Sequence, residues 1–432
     1  MLGRYVHILR SGSRNARAYM AASGLSAIAT GAFVAVYNLW LVALGMPVSF
    51  VGVLTTAGFA GAGLGAVMAG RLVDWFGPRR VLLVSSVIAA AGIGIQLVWP
   101  DLAVLLAGSV VAGIGAAAFA IAAPPFLTRA AGPTQRDDLF SLDTAIALAG
   151  ASLGSALGGQ TAAFLLAAQE PPRWAYWWAL VGASAVGASS FVALLMTQEG
   201  RGMAQTAEDA TPGDDAGAST PTASQNEAQA WAVLRNPLVL RLAVVAALIS
   251  WGAGLFLPYV NLFFVQELGA SPAVYGWLAA AATATRLLAT LFAPALSARV
   301  GIVRAVGGTQ LLSVPLLLLL GFSPWLWLAG TAFLLRGALM NMAAPLQISF
   351  RMAILPARIH GSGNAAIWVI DSVVRTASTL AGGWLIHTTG YRLPYALTAL
   401  TYIAAATLYL RWFSRSTPGS EAPPVRPTPS SE

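Results

Sequence analysis

Four charged residues fall within long apolar stretches of the chain, where a charge is costly. Arg286 and Arg336 lie near the middles of two stretches, and Asp371 and Arg375 are four residues apart in a third. That spacing places Asp371 and Arg375 on one helix face. A buried guanidinium can bind a carboxylate, phosphate or sulfate through two parallel hydrogen bonds. Because one aspartate cannot neutralise three arginines, the residues indicate an anion site or, alternatively, a structural network closed by carbonyls and water.

Further polar and aromatic residues complete this candidate substrate site. Asn38 and Asn261 could line a pathway or form an interhelical hydrogen bond. Tyr37 and Trp368 could line the same cavity, although packing in the core or against lipid is the alternative for each. Asp371 is also the candidate carrier of a coupling proton, whereas a neighbouring arginine favours a fixed ion pair, so the coupling stays open.

The composition dictates the elements that must position these residues. Apolar types make up 57% of the 432 residues and charged types only 9%, against roughly 25% charged in soluble domains. A soluble globular protein and a disordered chain are therefore both excluded. The absence of cysteine excludes a disulfide scaffold and thiol chemistry. Apolar stretches of about 20 residues suit helices that cross ~30 Å of hydrocarbon.

Twelve such stretches are present, so the sequence predicts an all-α integral membrane protein with twelve transmembrane helices. They form two bundles of six. The expected divisions are a cytoplasmic N-terminal segment at 1–16, an N-terminal bundle at 17–196, a cytoplasmic linker at 197–236, a C-terminal bundle at 237–413 and a disordered cytoplasmic tail at 414–432.

The two bundles are related by an internal repeat. A shift of 224 residues superimposes Gly45, Gly52, Gly77, Arg80 and Gly159 on Gly269, Gly276, Gly301, Arg304 and Gly383. Six helices, a linker and six related helices are typical of a transporter built from two parallel repeats.

The distribution of arginine orients the chain. All 24 basic residues are arginine, and 19 of them fall in segments on one side of the predicted bundle, with only Arg173 and Arg392 in loops on the other. This bias predicts that both termini are cytoplasmic, in a multi-pass protein of the inner, cytoplasmic membrane. The net charge of +8 thus faces lipid headgroups, and no nucleic-acid partner is expected.

The loop between the second and third predicted helices carries the most specific motif. It reads Gly70-Arg-Leu-Val-Asp74-Trp-Phe-Gly77-Pro-Arg79-Arg80. This motif resembles the cytoplasmic G-x-L-x-D-R-x-G-R-R loop of the major facilitator superfamily, with Trp75 and Pro78 in place of the usual basic residues.

The resemblance assigns a role to each part of this gating motif. Gly70 would allow a close helix approach and Gly77 a tight turn. Asp74 would pair with cations across the interface between the bundles, and Arg79 and Arg80 would anchor at headgroups. In the family this loop latches the two halves in the outward-facing state.

A small-residue motif in the fifth predicted helix has three interpretations. It contains Gly150, Gly154, Gly158 and Gly159. It can be a helix-packing face, or it can correspond to the similar antiporter motif of the superfamily's exporters, in which proline stands at the position of Ser155. A nucleophile elbow is disfavoured because that motif needs a strand before the turn.

The resemblance implies a secondary active transporter that moves a small organic solute by alternating access, and the buried arginines suggest an anionic solute. The alternatives are a drug or metabolite efflux antiporter of the same fold, a polytopic membrane enzyme and a non-transporting receptor. Ser109 stands where proton-coupled exporters carry arginine, which argues against a proton-driven exporter of cationic drugs. No catalytic residue, metal site or cofactor is predicted, and the expected partners are a solute, the bilayer and a coupling proton. A monomer is expected.

Overall fold

The structure is a computed structural model that describes residues 13–130, 136–198, 235–356 and 359–414. Most of the predicted N-terminal segment, the predicted linker from 199 to 234 and the predicted tail from 415 onward lie outside these described residues.

Twelve long helices account for nearly all of the described residues. They are α1 (Arg14–Ala43), α2 (Val48–Phe76), α3 (Pro78–Val98), α4 (Leu102–Ala130), α5 (Arg136–Ala167), α6 (Pro172–Leu195), α7 (Pro237–Phe256), α8 (Pro272–Val300), α9 (Ile302–Phe322), α10 (Leu326–Ile354), α11 (His360–Thr389) and α12 (Arg392–Phe413). Helices α1–α6 form the N-terminal half and α7–α12 the C-terminal half, which confirms the predicted fold class.

Eleven of these helices are long and apolar enough to cross a membrane. Helix α11 falls short because its central part contains Asp371, Ser372, Arg375 and Thr376. Helix α11 packs against α7 and α2, and polar groups of α11 hydrogen-bond to both of these helices. The helix can therefore belong to the bundle without a continuous apolar surface.

Both halves use the same helix order. In the N-terminal half α5, α1, α6, α3, α4 and α2 pack in succession, and in the C-terminal half α11, α7, α12, α9, α10 and α8 do so. The halves meet along α2–α11 and α5–α8. The repeat relates these two seams: Thr56 Oγ1 donates to the carbonyl of Thr376 and Ser152 Oγ to the carbonyl of Ala280, both at 3.4 Å, and the two pairs differ by the same 224-residue shift.

Two ends of the bundle differ in composition. The arginine-rich end carries Arg14, Arg71, Arg129, Arg299 and Arg304, and the tryptophan-rich end carries Trp99, Trp174, Trp178, Trp325 and Trp327. At the turn between α2 and α3, Gly77 adopts φ +78°, so the predicted tight turn is confirmed.

The hydrophobic core is shared by the two halves at only one end. At the tryptophan-rich end a single cluster joins residues of both halves, among them Trp40 and Leu54 with Phe256 and Tyr275. At the arginine-rich end each half has a separate cluster, one around Phe126 and the other around Phe350. The halves are therefore packed together at the tryptophan-rich end and not at the other.

Candidate functional site

An ion pair within α11 is hydrogen-bonded to a serine of α7. Arg375 Nη2 lies 3.4 Å from Asp371 Oδ2, as the spacing of four predicts. Ser250 of α7 donates its hydroxyl to Asp371 Oδ1, and Arg375 donates to Ser250 Oγ at 3.2 Å. Both charged side chains are only half-buried. Arg375 is consequently neutralised within the protein, which leaves it less available to an anion.

Arg336 occupies a different environment within the C-terminal half. Its side chain is only 3% exposed, and its Nη2 donates to the hydroxyl of Tyr402 at 3.1 Å. The guanidinium carbon lies 4.7 Å from the ring centre of Phe256 and 5.4 Å from that of Tyr402. Its Nε has no hydrogen-bond partner in the part of the chain that the structure describes. Aromatic faces, rather than an acid, stabilise this cation.

The structure does not bring the three predicted arginines together. Arg286 is exposed on α8 and makes no ion pair or hydrogen bond with any described residue. Arg351, in the last turn of α10, lies beside Tyr409 and within electrostatic range of Asp371. The depth of a residue in the membrane can be estimated from the sequence. The neighbours that an arginine meets depend on how its helix is rotated and packed, which the sequence does not show.

Asn38 and Asn261 form a polar contact between the halves. Asn38 Nδ2 donates to Asn261 Oδ1 at 3.0 Å and to the carbonyl of Pro258 at 2.7 Å. Asn261 is 2% exposed, and it donates in turn to carbonyls of α1. The site exists because α7 continues beyond Phe256 as irregular turns to Glu267, where Pro258 interrupts the helical hydrogen-bond ladder. We call Asn38, Asn261 and Pro258 the interhalf latch.

Tyr37 and Trp368, which were expected to line one cavity, lie in different environments. Tyr37 stacks on Phe33, donates to Gln96 Oε1 and lines a cavity of the N-terminal half. Trp368 is 63% exposed, and it does not line that cavity. Within the described ranges, no group of three or more acidic and histidine side chains is placed to hold a metal ion.

Asp143 of α5 is a partly buried carboxylate that the sequence analysis did not include in the candidate site. Its Oδ1 accepts from Ser23 Oγ of α1 at 2.7 Å, and the hydroxyl of Tyr19 also hydrogen-bonds to it. The arrangement repeats that of Asp371 with Ser250, because each aspartate on the fifth helix of a half meets a serine on the first. Asp143 differs in having no cation as a partner among the described residues.

The aspartate of the gating motif is not engaged in this conformation. Asp74 is exposed and has no partner among the described residues. Arg79 Nε donates to Thr197 Oγ1 at 2.9 Å, two residues beyond the end of α6, and Arg80 is exposed at the start of α3. The expected close approach at Gly70 is wrong here, because a Cβ built on Gly70 would meet nothing within 4 Å. The physical reason is the separation of the two halves at the arginine-rich end.

The small-residue motif of α5 is a packing surface on two sides. A Cβ on Gly150, Gly154 or Gly158 would collide with α1, and one on Gly159 would lie 2.3 Å from the carbonyl oxygen of Pro272 on α8. These glycines allow α5 to approach its own half and the other half closely. The contacts favour the packing interpretation.

We expect Gly154→Ala to destabilise the protein, because the added Cβ would lie 1.9 Å from the carbonyl oxygen of Ile28. Overpacking of this kind costs about 2 kcal/mol, which corresponds to ~2 °C in unfolding temperature for a chain of this length. Gly182→Ala is the matched control, since a Cβ there meets nothing within 4 Å. Thermal unfolding followed by intrinsic tryptophan fluorescence measures both, and equal temperatures would contradict the packing role.

The chain belongs to the Major Facilitator Superfamily. The family model matches residues 19–263 and, again, residues 242–431, one match for each half. Members of this family are transporters rather than enzymes, and the chain is accordingly a multi-pass membrane transport protein. Among curated protein sequences none matches the chain significantly.

Solved structures share this fold at low sequence identity. The nucleoside transporter NupG is 11% identical, with a TM-score of 0.75 over 93% of this chain and 99% of its own. A bacterial homolog of the human lysosomal transporter Spinster, in an inward-facing and unoccupied conformation, is 15% identical, with a TM-score of 0.69 over 93% and 98%. A D-xylose-proton symporter is 14% identical, with a TM-score of 0.66 over 91% and 96%. These likenesses show the fold alone.

Proposed function

We propose that this protein is a secondary active transporter that carries a small organic solute across the cytoplasmic membrane by alternating access. The observation that carries the proposal is the asymmetric packing of two repeat-related halves. They share one core at the tryptophan-rich end and have separate cores at the arginine-rich end. Two rigid bundles in contact at one end can exchange that contact for one at the other end.

The arginine bias supports a cytoplasmic assignment for the arginine-rich end. On this assignment the conformation is open to the cytoplasm. The unpartnered Asp74 fits the same state, because the gating loop is expected to engage only when the cytoplasmic end closes. The interhalf latch then lies on the closed, external side.

A reversible cross-link tests the proposal directly. The chain has no cysteine, so Asn38→Cys with Asn261→Cys introduces one pair across the latch. A thermal-shift screen of anionic, neutral and cationic metabolites first selects a solute, whose counterflow is then measured in proteoliposomes. We expect oxidation to stop counterflow and reductant to restore it, with counterflow by each single variant the same before and after oxidation. Counterflow that continues in the cross-linked protein would contradict alternating access, and no exchange of any solute would indicate a receptor.

An anionic solute remains a second candidate, and Arg286 is the observation that favours it. Of the three predicted arginines it alone is exposed and without a partner among the described residues. Arg336 is buried among aromatic rings and Arg375 is paired. Anion counterflow that survives Arg286→Ala unchanged would remove this candidate.

We further propose that a coupling proton binds Asp143 rather than Asp371. Asp143 is held by the hydroxyls of Tyr19 and Ser23, which can bond to either protonation state, whereas Asp371 is ion-paired with Arg375. Arg286 of α8 lies at a similar depth by register. The contact of Ser152 with Ala280 places Arg286 level with Ile146, about 5 Å along the axis from Asp143.

We therefore expect Asp143→Asn to abolish solute accumulation driven by a pH gradient while leaving solute counterflow intact. Asparagine keeps the hydrogen bonds and cannot carry the proton. Asp101→Asn, at an exposed position before α4, is the control. Accumulation in the Asp143 variant equal to that in the control would exclude Asp143 as the proton site.

A further inference from the structure

A cavity of about 910 Å³ lies within the N-terminal half. Five helices of that half line it, namely α1, α2, α3, α4 and α6, and no described residue of the C-terminal half does. Helices α1 and α4 pack against other helices and scarcely against each other, which leaves room between them. The cavity has the size of a pocket for a drug-sized molecule.

The corresponding position of the C-terminal half carries a larger side chain. The 224-residue shift places Ala112, which lines the cavity, on Arg336. The Arg336 side chain packs against Phe256 and Tyr402, whereas the N-terminal half has only a methyl group at this position. The small side chain of Ala112 is therefore one of the features that leave space in the N-terminal half.

The lining of the cavity is apolar and uncharged. Its hydroxyls at Thr30, Thr55, Ser86 and Ser184 donate to carbonyls of their own helices, so they require no ligand. No charged side chain of the described residues lines it. An ionised ligand would lose its hydration there without a counter-charge, at a cost of several kcal/mol.

One polar group stands apart from this pattern. Gln96 is 2% exposed, and its Oε1 accepts hydrogen bonds from the hydroxyls of Tyr37 and Ser109. Its Nε2 donates to the carbonyl of Gly92 at 2.7 Å. We call Tyr37, Gln96 and Ser109 the amide cluster. Three helices thus place hydroxyl and amide groups at one end of an apolar cavity. Because both hydroxyls already donate to Gln96, the capacity left to them is to accept a hydrogen bond from a donor group of a ligand.

We propose that this cavity binds an uncharged, largely apolar solute whose one polar group hydrogen-bonds to the amide cluster. The inference rests on the proposed transport function, because it names the class of solute carried. The size of the cavity, its lack of charge and its mainly apolar lining all select this class over the anions considered above. A lipid acyl chain is the competing occupant.

A matched pair of fluorescent probes tests the inference. N-phenyl-1-naphthylamine is uncharged, and 1-anilinonaphthalene-8-sulfonate adds one sulfonate to the same ring system. Binding is measured with the full chain in lipid nanodiscs, with empty nanodiscs subtracted. We expect saturable binding of the uncharged probe and none of the anion. Equal affinity for the two probes would overturn the proposal.

Two substitutions locate the binding. Ala112→Phe fills the cavity, whereas Ala107→Phe adds the same ring to an exposed position on the opposite face of α4. We expect Ala112→Phe to weaken binding of the uncharged probe by at least tenfold and Ala107→Phe to leave it unchanged. Gln96→Met keeps the side-chain volume and removes the amide, so it should weaken binding of the uncharged probe about threefold to tenfold. This variant replaces Ala112→Phe as the test if Ala112→Phe does not fold. Binding that is unaffected by both Ala112→Phe and Gln96→Met overturns the proposal.

The remaining outcomes separate this inference from the proposed function. Phospholipid that copurifies with the native chain and is lost in the Ala112→Phe variant would show that an acyl chain fills the cavity, which overturns the solute assignment. Counterflow of some other solute with no probe binding also overturns it, while alternating access stands. Probe binding that depends on Ala112, together with counterflow of an uncharged solute blocked by Ala112→Phe, supports both.

Discussion

Replacing Arg336 with alanine is expected to lower the stability of the protein by about 3 kcal/mol, the range observed for large-to-small substitutions in well-packed interiors. Arg336 is 3% exposed and fills the space between Phe256 and Tyr402. Its removal would leave unfilled space between Phe256 and Tyr402. Loss of a buried cation offsets part of the effect, since that cation has no acidic partner among the described residues.

Two companion variants separate packing from charge. Arg336→Met retains much of the volume without the charge, so we expect its unfolding temperature to lie well above that of Arg336→Ala. Arg286→Ala removes an exposed side chain and should leave the unfolding temperature unchanged. Thermal unfolding in detergent measures all three. An Arg336→Ala protein as stable as Arg286→Ala would show that Arg336 does not support the core.

Asn38→Ala is expected to shift the conformational equilibrium toward the state that is open at the tryptophan-rich end. The substitution removes the hydrogen bonds to Asn261 and Pro258, and it affects only the closed latch. Interhelical hydrogen bonds in membranes contribute about 0.6 kcal/mol on average. Losing two of them should change the population ratio by about tenfold.

Distances between spin labels measure this shift. Because the chain contains no cysteine, Thr128→Cys on α4 and Met352→Cys on α10 introduce labels at repeat-related positions near the arginine-rich end. The population with a short distance should grow in Asn38→Ala. Thr388→Ala is the control, because that hydroxyl bonds only to carbonyls of its own helix. Identical distance distributions in the two variants would mean that the latch does not hold the halves together.

Several features followed from the sequence because they depend on local chain properties. The positive φ of Gly77 follows from a turn between two helices that only glycine enters easily. The ion pair of Asp371 with Arg375 follows from a spacing of four on one helix. The repeat shift of 224 predicted two related bundles, and the same shift relates the contacts Thr56–Thr376 and Ser152–Ala280 between them.

The candidate site was less predictable because it depends on helix rotation. Arg286, Arg336 and Arg375 have similar depth, yet one is exposed, one is packed on aromatic rings and one is paired. Helices α4 and α5 are both rich in glycine and alanine. The structure shows close packing at Gly154 but a cavity beside Ala112, and the sequence pattern does not distinguish these two outcomes. The difference depends on what the neighbouring helix presents at that level.

The sequence by itself determined that this is a helical membrane protein made of two repeated halves, together with its family and its arginine bias, because hydropathy, charge and repeat spacing are written along the chain. Only the tertiary structure decided that Asn38 meets Asn261, that Asp143 accepts hydrogen bonds from the hydroxyls of Ser23 and Tyr19, and that the N-terminal half contains an uncharged cavity. Those features arise where side chains from distant segments share one space. Arg336 packs on aromatic rings and Ala112 borders a cavity because of the side chains that neighbouring helices place beside them.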